Sequence, residues 1–496
     1  MQVKTGLHSS RLLLVGKREV VFFLSVVLII GFILNGASDF PYSRVMLCLN
    51  IAALGMIYVL KPKKSIVGFA HPIVFFSLAF IQYYILPPIV QIYFFDSIFL
   101  QTIHYGHLQD VSGGDYILAR SLTVSLVGLI AFYFGYVLAP LNPLERARIL
   151  RLREFWSVRI TQYIIIASLI GFVVAVAWFF HSVGLSEYIN TPRSMRHDLY
   201  AGSYISGFFV DWGSTAAFFS LVLIFEKLKH RPYYYGVFLL FIVLTYIWFN
   251  LFVFSGSRIQ VVRIAAMLLI YWHLRINRVS ILRLFTLGFI GIIFIVIMGY
   301  LRSGLGDLNA SVSVFNLFHD RSNLLTIVIY ALDFPTAYDI YLMIVNHLPD
   351  YDYGYGMSYL KLLFLFVPRS IWPDKPENIT WISTRLFRPE QLDLGVSYNP
   401  TILGEMYYNF GIFGVISLCF LFGMCCHLPL TYYKKNRFSI GGIIIYSVLL
   451  FSIIEQFRGA FSDITKNYLF FYIVPAIIII LFSSRKKYDT SSSAFQ

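Results

Sequence analysis

Charged residues are scarce in this sequence. Only 13% of its 496 residues are Asp, Glu, Lys or Arg, and 58% are hydrophobic. A soluble globular protein carries about 25% charged residues, and a chain with half that share cannot cover a water-facing surface. The composition therefore excludes a soluble two-domain enzyme and a disordered tail protein. It predicts an all-α, polytopic integral membrane protein.

Cysteine is scarce too, and its placement is not that of a disulfide framework or a metal site. The four cysteines, Cys48, Cys419, Cys425 and Cys426, all lie within apolar runs. Cys425 and Cys426 are adjacent, so their side chains point apart on a helix. We interpret all four as small packing residues at lipid depth.

Several catalytic motifs are missing from the sequence. It contains no phosphate-binding Walker loop, no His-Glu-x-x-His zinc motif and no Gly-x-Ser-x-Gly nucleophile elbow. The stretch between the first two apolar runs holds a single acid, Asp39, and so lacks the acidic pair that would hold a metal there. The sequence therefore predicts neither a metal nor a cofactor.

The net charge of +14 is a topology signal and does not indicate a nucleic-acid partner. Basic residues occur in short packets between apolar runs, a pattern typical of the cytoplasmic side of a membrane protein. The packets lie at residues 61–64, 146–153, 227–231, 275–283, 434–437 and 485–487. The apolar run 20–34 follows four basic residues but lacks a small-x-small cleavage site, so we interpret it as an uncleaved first span. Both termini are expected in the cytoplasm.

Twelve segments are apolar and long enough to approach the roughly 20 residues that cross a bilayer. They lie near residues 18–35, 44–60, 66–88, 116–139, 160–183, 205–225, 234–254, 259–274, 281–300, 402–427, 439–455 and 467–483. Residues 1–300 are thus expected to hold transmembrane helices 1–9, residues 301–400 a large outer loop, and residues 401–496 helices 10–12 and a cytoplasmic tail. Two apolar stretches in the loop, 324–345 and 357–367, are predicted to be interfacial or re-entrant helices. If both crossed, the count would be fourteen, and that alternative stays open.

Several basic residues lie outside the packets, mostly on the predicted outer side, against the charge rule. Most are arginines, whose planar guanidinium binds phosphate through two hydrogen bonds and stays charged. An anionic ligand in an outward-facing cavity would compensate them. The candidates for this role are Arg193, Arg196, Arg258, Arg302, Arg321, Arg369, Lys375 and Arg458.

Arg263 also lies outside the packets, about a turn and a half deeper in its span than Arg258. A charge at that depth costs about 2.5–3.5 kcal/mol on insertion scales unless it is paired or hydrated. Arg263 can bind a ligand, or it can pair with an intramembrane acid such as Asp211 or Glu455. Both interpretations stay open.

Trp372 lies between Pro368 and Pro373, which favour an extended segment. Its ring can stack on a sugar, with Arg369 and Lys375 beside it to contact phosphate. The alternative is an anchor in the aromatic belt at the membrane interface.

Glu405 lies at the start of the tenth predicted span, where an acid is costly unless it is functional or paired. It is the first candidate for a catalytic base, and a structural ion pair is the alternative. Asp198 and Asp320 compete for the base role. Tyr408 and Asn409 follow on the same helix as candidate substrate contacts.

Three motifs carry a family resemblance when they are taken together. They are Ser-Gly-Ser-Arg at 255–258, Pro-Arg-Ser-Ile-Trp-Pro-Asp-Lys-Pro at 368–376 and Gly-Glu-Met-Tyr-Tyr-Asn-Phe-Gly at 404–411. Over residues 246–471 the chain resembles the bacterial O-antigen (oligosaccharide repeat unit) polymerases of the Wzy type, and the hydropathy pattern upstream is consistent with this. By position, the resemblance points to a polar set around an outer cavity: Arg258, Arg302, Arg321, Arg369, Glu405 and Arg458.

The resemblance implies an inner-membrane fold related to O-antigen ligases and a metal-independent, GT-C-like glycosyltransferase. Its donor would be a glycan on undecaprenyl pyrophosphate, and its acceptor one lipid-linked repeat unit at the periplasmic face. The product would be O-antigen, capsule or exopolysaccharide, with a chain-length regulator and a flippase as further partners. An O-antigen ligase and a transporter or flippase for lipid-linked sugars are the alternatives.

Overall fold

The computed structural model describes residues 40–59, 67–94, 111–139, 156–190, 211–227, 233–248, 258–304, 334–348, 352–364, 367, 371–372, 374–392 and 397–483. This part of the chain is helical and contains no strand, as the composition predicts. Its helices are α1 (Pro41–Val59), α2 (Pro72–Phe80), α3 (Leu86–Phe94), α4 (Val111–Leu138), α5 (Val158–Val183), α6 (Leu185–Asn190), α7 (Trp212–Lys227), α8 (Tyr233–Trp248), α9 (Arg258–Arg275), α10 (Ile281–Gly304), α11 (Phe334–His347), α12 (Met357–Leu360), α13 (Ile379–Phe387), α14 (Pro389–Leu392), α15 (Thr401–Asn436), α16 (Ile440–Arg458), α17 (Phe461–Tyr468) and α18 (Val474–Phe482). Single π-helical turns, Ile81–Ile85 and Leu469–Ile473, join α2 to α3 and α17 to α18.

Local sequence signals set several helix ends. The Ser157 hydroxyl accepts a hydrogen bond from the Ile160 N–H (3.3 Å) and caps α5, and Ser439 caps α16 in the same way. Such caps satisfy backbone donors that have no partner within the helix. At the other end of α5, Gly184 takes a positive φ of 83°, which glycine adopts without a steric penalty.

The apolar helices agree with the predicted spans. Six stretches are long and apolar enough to cross a membrane: Pro72–Tyr93, Gly114–Leu138, Val158–Val183, Thr401–Asn436, Ile440–Arg458 and Phe461–Phe482. Shorter apolar helices occur at Pro41–Ile57, Trp212–Glu226, Tyr235–Trp248 and Leu282–Ile293. Each predicted span after the first overlaps a helix of the structure, and the first lies outside the described residues. The chain is therefore a polytopic membrane protein, whereas the count of twelve stays a prediction.

Helix α11 lies within the apolar stretch 324–345 of the large loop, which is predicted to be interfacial or re-entrant. An interfacial helix keeps one polar face in water, but every residue from 337 to 345 is buried. The Tyr341 hydroxyl donates to the Ser121 carbonyl (2.7 Å), and the Asn346 amide donates to the Ile117 carbonyl (3.2 Å), both on α4. Its acid, Asp339, forms an ion pair with Arg388 at 2.8 Å. Apolar side chains on all sides of α11 place it inside the bundle.

One end of the bundle, the basic end, gathers residues that flank the basic packets. The Ser157 N–H donates to the Ser483 hydroxyl (2.9 Å), and the Arg275 guanidinium donates to Glu226 (2.9 Å). Each of these residues lies within a few positions of a packet or within one. Segments that hydropathy assigns to the same side of the membrane thus meet in space.

The opposite end, the loop end, joins residues 352–392 to the start of α15. The backbone of α15 leaves helical geometry at Gly411, where φ is 61° and ψ is −149°. Next to this break, the Tyr408 and Asn409 carbonyls accept hydrogen bonds from the N–H groups of Gly354 (3.0 Å) and Tyr355 (3.1 Å). The break thus lets the loop chain dock on α15.

We expect a membrane-impermeant thiol reagent to separate these two ends. In a variant without the native cysteines, Glu390→Cys at the loop end should label in intact cells, because Glu390 is exposed and lies in the predicted periplasmic loop. Asn277→Cys, which is exposed at the basic end, should label only after the membrane is permeabilised. The reverse pattern would refute the predicted orientation.

Candidate functional site

Glu405 lies in the second turn of α15 and is fully buried at the loop end. Its Oε1 accepts a hydrogen bond from the Ser358 hydroxyl (2.7 Å), and its Oε2 accepts one from the Phe461 N–H (2.7 Å). The Asn409 amide, one turn further along α15, donates to the same Ser358 oxygen (2.8 Å). The structure therefore brings together two of the predicted residues, Glu405 and Asn409, and ties both to the loop.

Asp463, which was not among the residues predicted from the sequence, lies beside this group at the start of α17. Its carboxylate forms ion pairs with Lys361 of the loop (3.2 Å) and Lys466 one turn along (4.0 Å). It also accepts a hydrogen bond from the Asn378 amide. The available signal was the polar run Ser462-Asp-Ile-Thr-Lys-Asn467, which interrupts two apolar spans. We call Lys361, Asp463 and Lys466 the lysine–aspartate cluster.

A second polar group lies among the start of α7, α9 and α16. The Arg263 guanidinium makes two 2.8 Å hydrogen bonds to the Glu455 carboxylate, and both side chains are almost fully buried. The Tyr468 ring lies 5.2 Å from the guanidinium carbon. Of the two partners predicted for Arg263, Glu455 is therefore the one that forms the ion pair. The other, Asp211, accepts a hydrogen bond from Gln260 (2.6 Å).

Helix α17 connects this second group to the lysine–aspartate cluster. Lys466 pairs with Asp463 and also acts electrostatically on Asp211. Tyr468, two residues on, packs against Arg263. Lys361 of the loop, Asp463 and Lys466 of α17, and Asp211 before α7 thus form a series of alternating charges. Such a series can hold an anionic group near the loop and keep its own charges compensated.

The loop side of the site is lined by aromatic rings. The Tyr359 ring packs against Phe461 at 5.6 Å, and burial followed by the nearby Glu405 carboxylate raises the pKa of Tyr359 well above its usual value. Trp372 packs against Phe364 in an edge-on contact at 5.1 Å. Tyr359 is therefore a neutral hydroxyl next to the buried carboxylate.

The structure describes only some of the other site residues predicted from the sequence. The Lys375 ammonium donates to the Val367 carbonyl (3.0 Å), Tyr408 is buried on α15, and Arg458 is the half-buried last residue of α16. For Arg258 and Arg302, only the helical backbone is described. The predicted residues outside the described part of the chain are Arg193, Arg196, Asp198, Asp320, Arg321 and Arg369. Within that part, no group of three or more His, Cys, Asp or Glu could hold a metal ion.

Comparisons with known proteins give one assignment. Comparison with curated proteins and with solved structures yields no significant match. The family model described as O-antigen polysaccharide polymerase Wzy matches residues 20–488, which is nearly the whole chain. This agrees with the resemblance carried by the three sequence motifs and with the polytopic helical fold. The chain belongs to the O-antigen polysaccharide polymerase Wzy family.

Proposed function

We propose that this protein polymerises undecaprenyl-pyrophosphate-linked repeat units at the periplasmic face of the bacterial inner membrane. Membership of the O-antigen polysaccharide polymerase Wzy family supports the polymerising activity. The charged site at the loop end supports the finer assignment, because the loop binds there directly to the helices that carry Glu405 and Asp463. The product class, O-antigen, capsule or exopolysaccharide, is part of the same proposal.

The proposed reaction is a glycosyl transfer between two lipid-linked sugars. A hydroxyl of the acceptor unit attacks the anomeric carbon of the donor glycan, and undecaprenyl pyrophosphate leaves. The reaction needs a base for the hydroxyl proton and cations for the charge on the leaving group. Glu405, Asp198 and Asp320 are the carboxylates proposed from the sequence for the first task.

Cationic side chains are proposed to compensate the charge on the leaving group. The enzyme would be a GT-C-like transferase that works without a metal ion. Arginine binds a diphosphate through two hydrogen bonds and stays charged. The proposed set is Arg193, Arg196, Arg258, Arg302, Arg321, Arg369, Lys375 and Arg458. Trp372, Tyr408 and Asn409 are further proposed substrate contacts, with Trp372 stacking on a sugar. A flippase that supplies the acceptor and a chain-length regulator are the proposed partners.

Reconstitution tests this function. The purified full-length protein in lipid nanodiscs is incubated with undecaprenyl-pyrophosphate-linked repeat units extracted from a host strain that lacks this polymerase. We expect a ladder of products that differ by one repeat unit each, because each transfer regenerates a donor. A single addition, seen only when lipid A-core is supplied, would indicate a ligase instead. Movement of the lipid across a bilayer without any new glycosidic bond would indicate a transporter.

A further inference from the structure

The four carboxylates of the candidate site differ in how a substrate could reach them. Both oxygens of Glu405 accept hydrogen bonds from the protein, and the side chain is fully buried. Both oxygens of Glu455 are bound by Arg263. Asp211 is partly exposed, and its Oδ1 accepts a hydrogen bond from Gln260 (2.6 Å). Both oxygens of Asp463 are engaged as well, but 30% of its side chain is exposed, and two of its partners are lysines that an anionic substrate can bind.

The Glu405 carboxylate accepts a hydrogen bond from the backbone of the helical turn that carries Asp463. By accepting from the Phe461 N–H, the carboxylate satisfies a donor in the first turn of α17, and its negative charge suits a helix N-terminus. Asp463 follows two residues later, in the same turn. The direction in which Asp463 points therefore depends on the contact between Glu405 and Phe461.

The backbone just before α17 lies very close to the segment just before α15. Gly459 takes a φ of 157°, and a Cβ at this position would lie 2.4 Å from the Asn399 Cβ. Asn399 in turn accepts a hydrogen bond from the Thr380 hydroxyl (2.8 Å). The first turn of α17 is thus held from α15 and from the loop at once, so Asp463 has a fixed position.

The charged groups that face Asp463 come from three segments. Lys361 belongs to the loop, Lys466 to α17, and Glu405 to α15; Asn378 adds a neutral amide. An incoming diphosphate carries more negative charge than a carboxylate, so it competes with Asp463 for the two lysines. Once the lysines bind the diphosphate, Asp463 loses its ion pairs and can accept a proton.

We propose that Asp463 is the proton acceptor in the transfer step, and that Glu405 is a positioning residue that acts through it. The acceptor hydroxyl forms the new bond to the donor's anomeric carbon and passes its proton to an Asp463 oxygen. The bond from that carbon to the pyrophosphate oxygen breaks, and its electron pair leaves with undecaprenyl pyrophosphate beside Lys361 and Lys466. This inference rests on the proposed polymerase function.

The test compares Asp463→Asn, Asp463→Glu and Glu405→Gln in the nanodisc assay. Because a general base contributes about 10²- to 10⁴-fold, Asp463→Asn should lower kcat by that factor while the KM for the lipid-linked repeat unit changes little. Asp463→Glu, which keeps a carboxylate, should recover part of the rate. Glu405→Gln still offers an oxygen to the Phe461 N–H, so it should lose less activity than Asp463→Asn.

The pH dependence of kcat/KM shows whether Asp463 or Glu405 is the base. A base must be deprotonated, so wild-type kcat/KM should fall as the pH is lowered. This fall should persist in Glu405→Gln and disappear in the residual activity of Asp463→Asn. Glu390→Gln, an exposed acid in the same loop, is the matched control and should behave as the wild type.

Two results would overturn the inference. Wild-type kcat in a folded Asp463→Asn variant would remove Asp463 from the reaction. Loss of the low-pH fall in Glu405→Gln alone would make Glu405 the base. If the wild-type protein formed no ladder at any pH, the proposed function itself would fail, and that outcome differs from both others.

Discussion

Replacing Arg263 with alanine is expected to lower the free energy of unfolding by about 3–5 kcal/mol, the usual cost of breaking a buried ion pair from one side. The substitution leaves the Glu455 carboxylate in an apolar setting after both of its 2.8 Å hydrogen bonds are lost. It also removes the cation from the Tyr468 ring. The measurement is the thermal unfolding midpoint of the purified protein, together with the yield of monodisperse protein.

The chain offers a matched control for this prediction. Arg385 pairs with Glu377 at the same 2.8 Å distance, but 58% of the Arg385 side chain is exposed. Exposed pairs contribute about 0–1 kcal/mol, so Arg385→Ala should shift the midpoint little. The double replacement Arg263→Met with Glu455→Leu should recover most of the stability, because no unpaired charge remains. Equal shifts for Arg263→Ala and Arg385→Ala would contradict a buried ion pair.

Alanine at Gly135 is expected to disrupt the contact between α4 and α15. A Cβ at this position would lie 1.9 Å from the Phe420 carbonyl oxygen, and one at Gly423 would lie 2.2 Å from the Phe132 carbonyl oxygen. Both obstacles are backbone atoms, so the two helices must separate. Small residues at such crossings let membrane helices approach closely, and overpacking of a tight contact costs about 1–3 kcal/mol or more.

Two glycines of α10 provide the comparison for this prediction. A Cβ at Gly288 or Gly291 would meet no atom within 4 Å. Alanine there should leave the unfolding midpoint unchanged or raise it slightly, since alanine favours a helix by about 1 kcal/mol over glycine. We therefore expect Gly135→Ala and Gly423→Ala to lower the midpoint and the two α10 variants not to. A Gly135→Ala variant as stable as Gly288→Ala would refute the close crossing.

Part of the candidate site could be predicted from the sequence. Glu405 was selected because an acid at the start of an apolar span needs a partner or a role. Asn409 belongs to the same motif, and the structure places the two together. Asp463 was missed, although it forms the ion pair with Lys361 of the loop. Its main partner, Lys361, lies 102 positions away in the chain. No local pattern connects residues at that separation.

Hydropathy and composition alone determined that this chain is a polytopic helical membrane protein, and three short motifs pointed to its family. These properties are readable because the apolar character of a span belongs to its own residues and depends little on neighbours. Only the tertiary structure decided that Arg263 pairs with Glu455 and that α11 is buried in the bundle. Both outcomes depend on how helices rotate and pack against each other, since the same side chain faces lipid, a partner or the core according to that rotation.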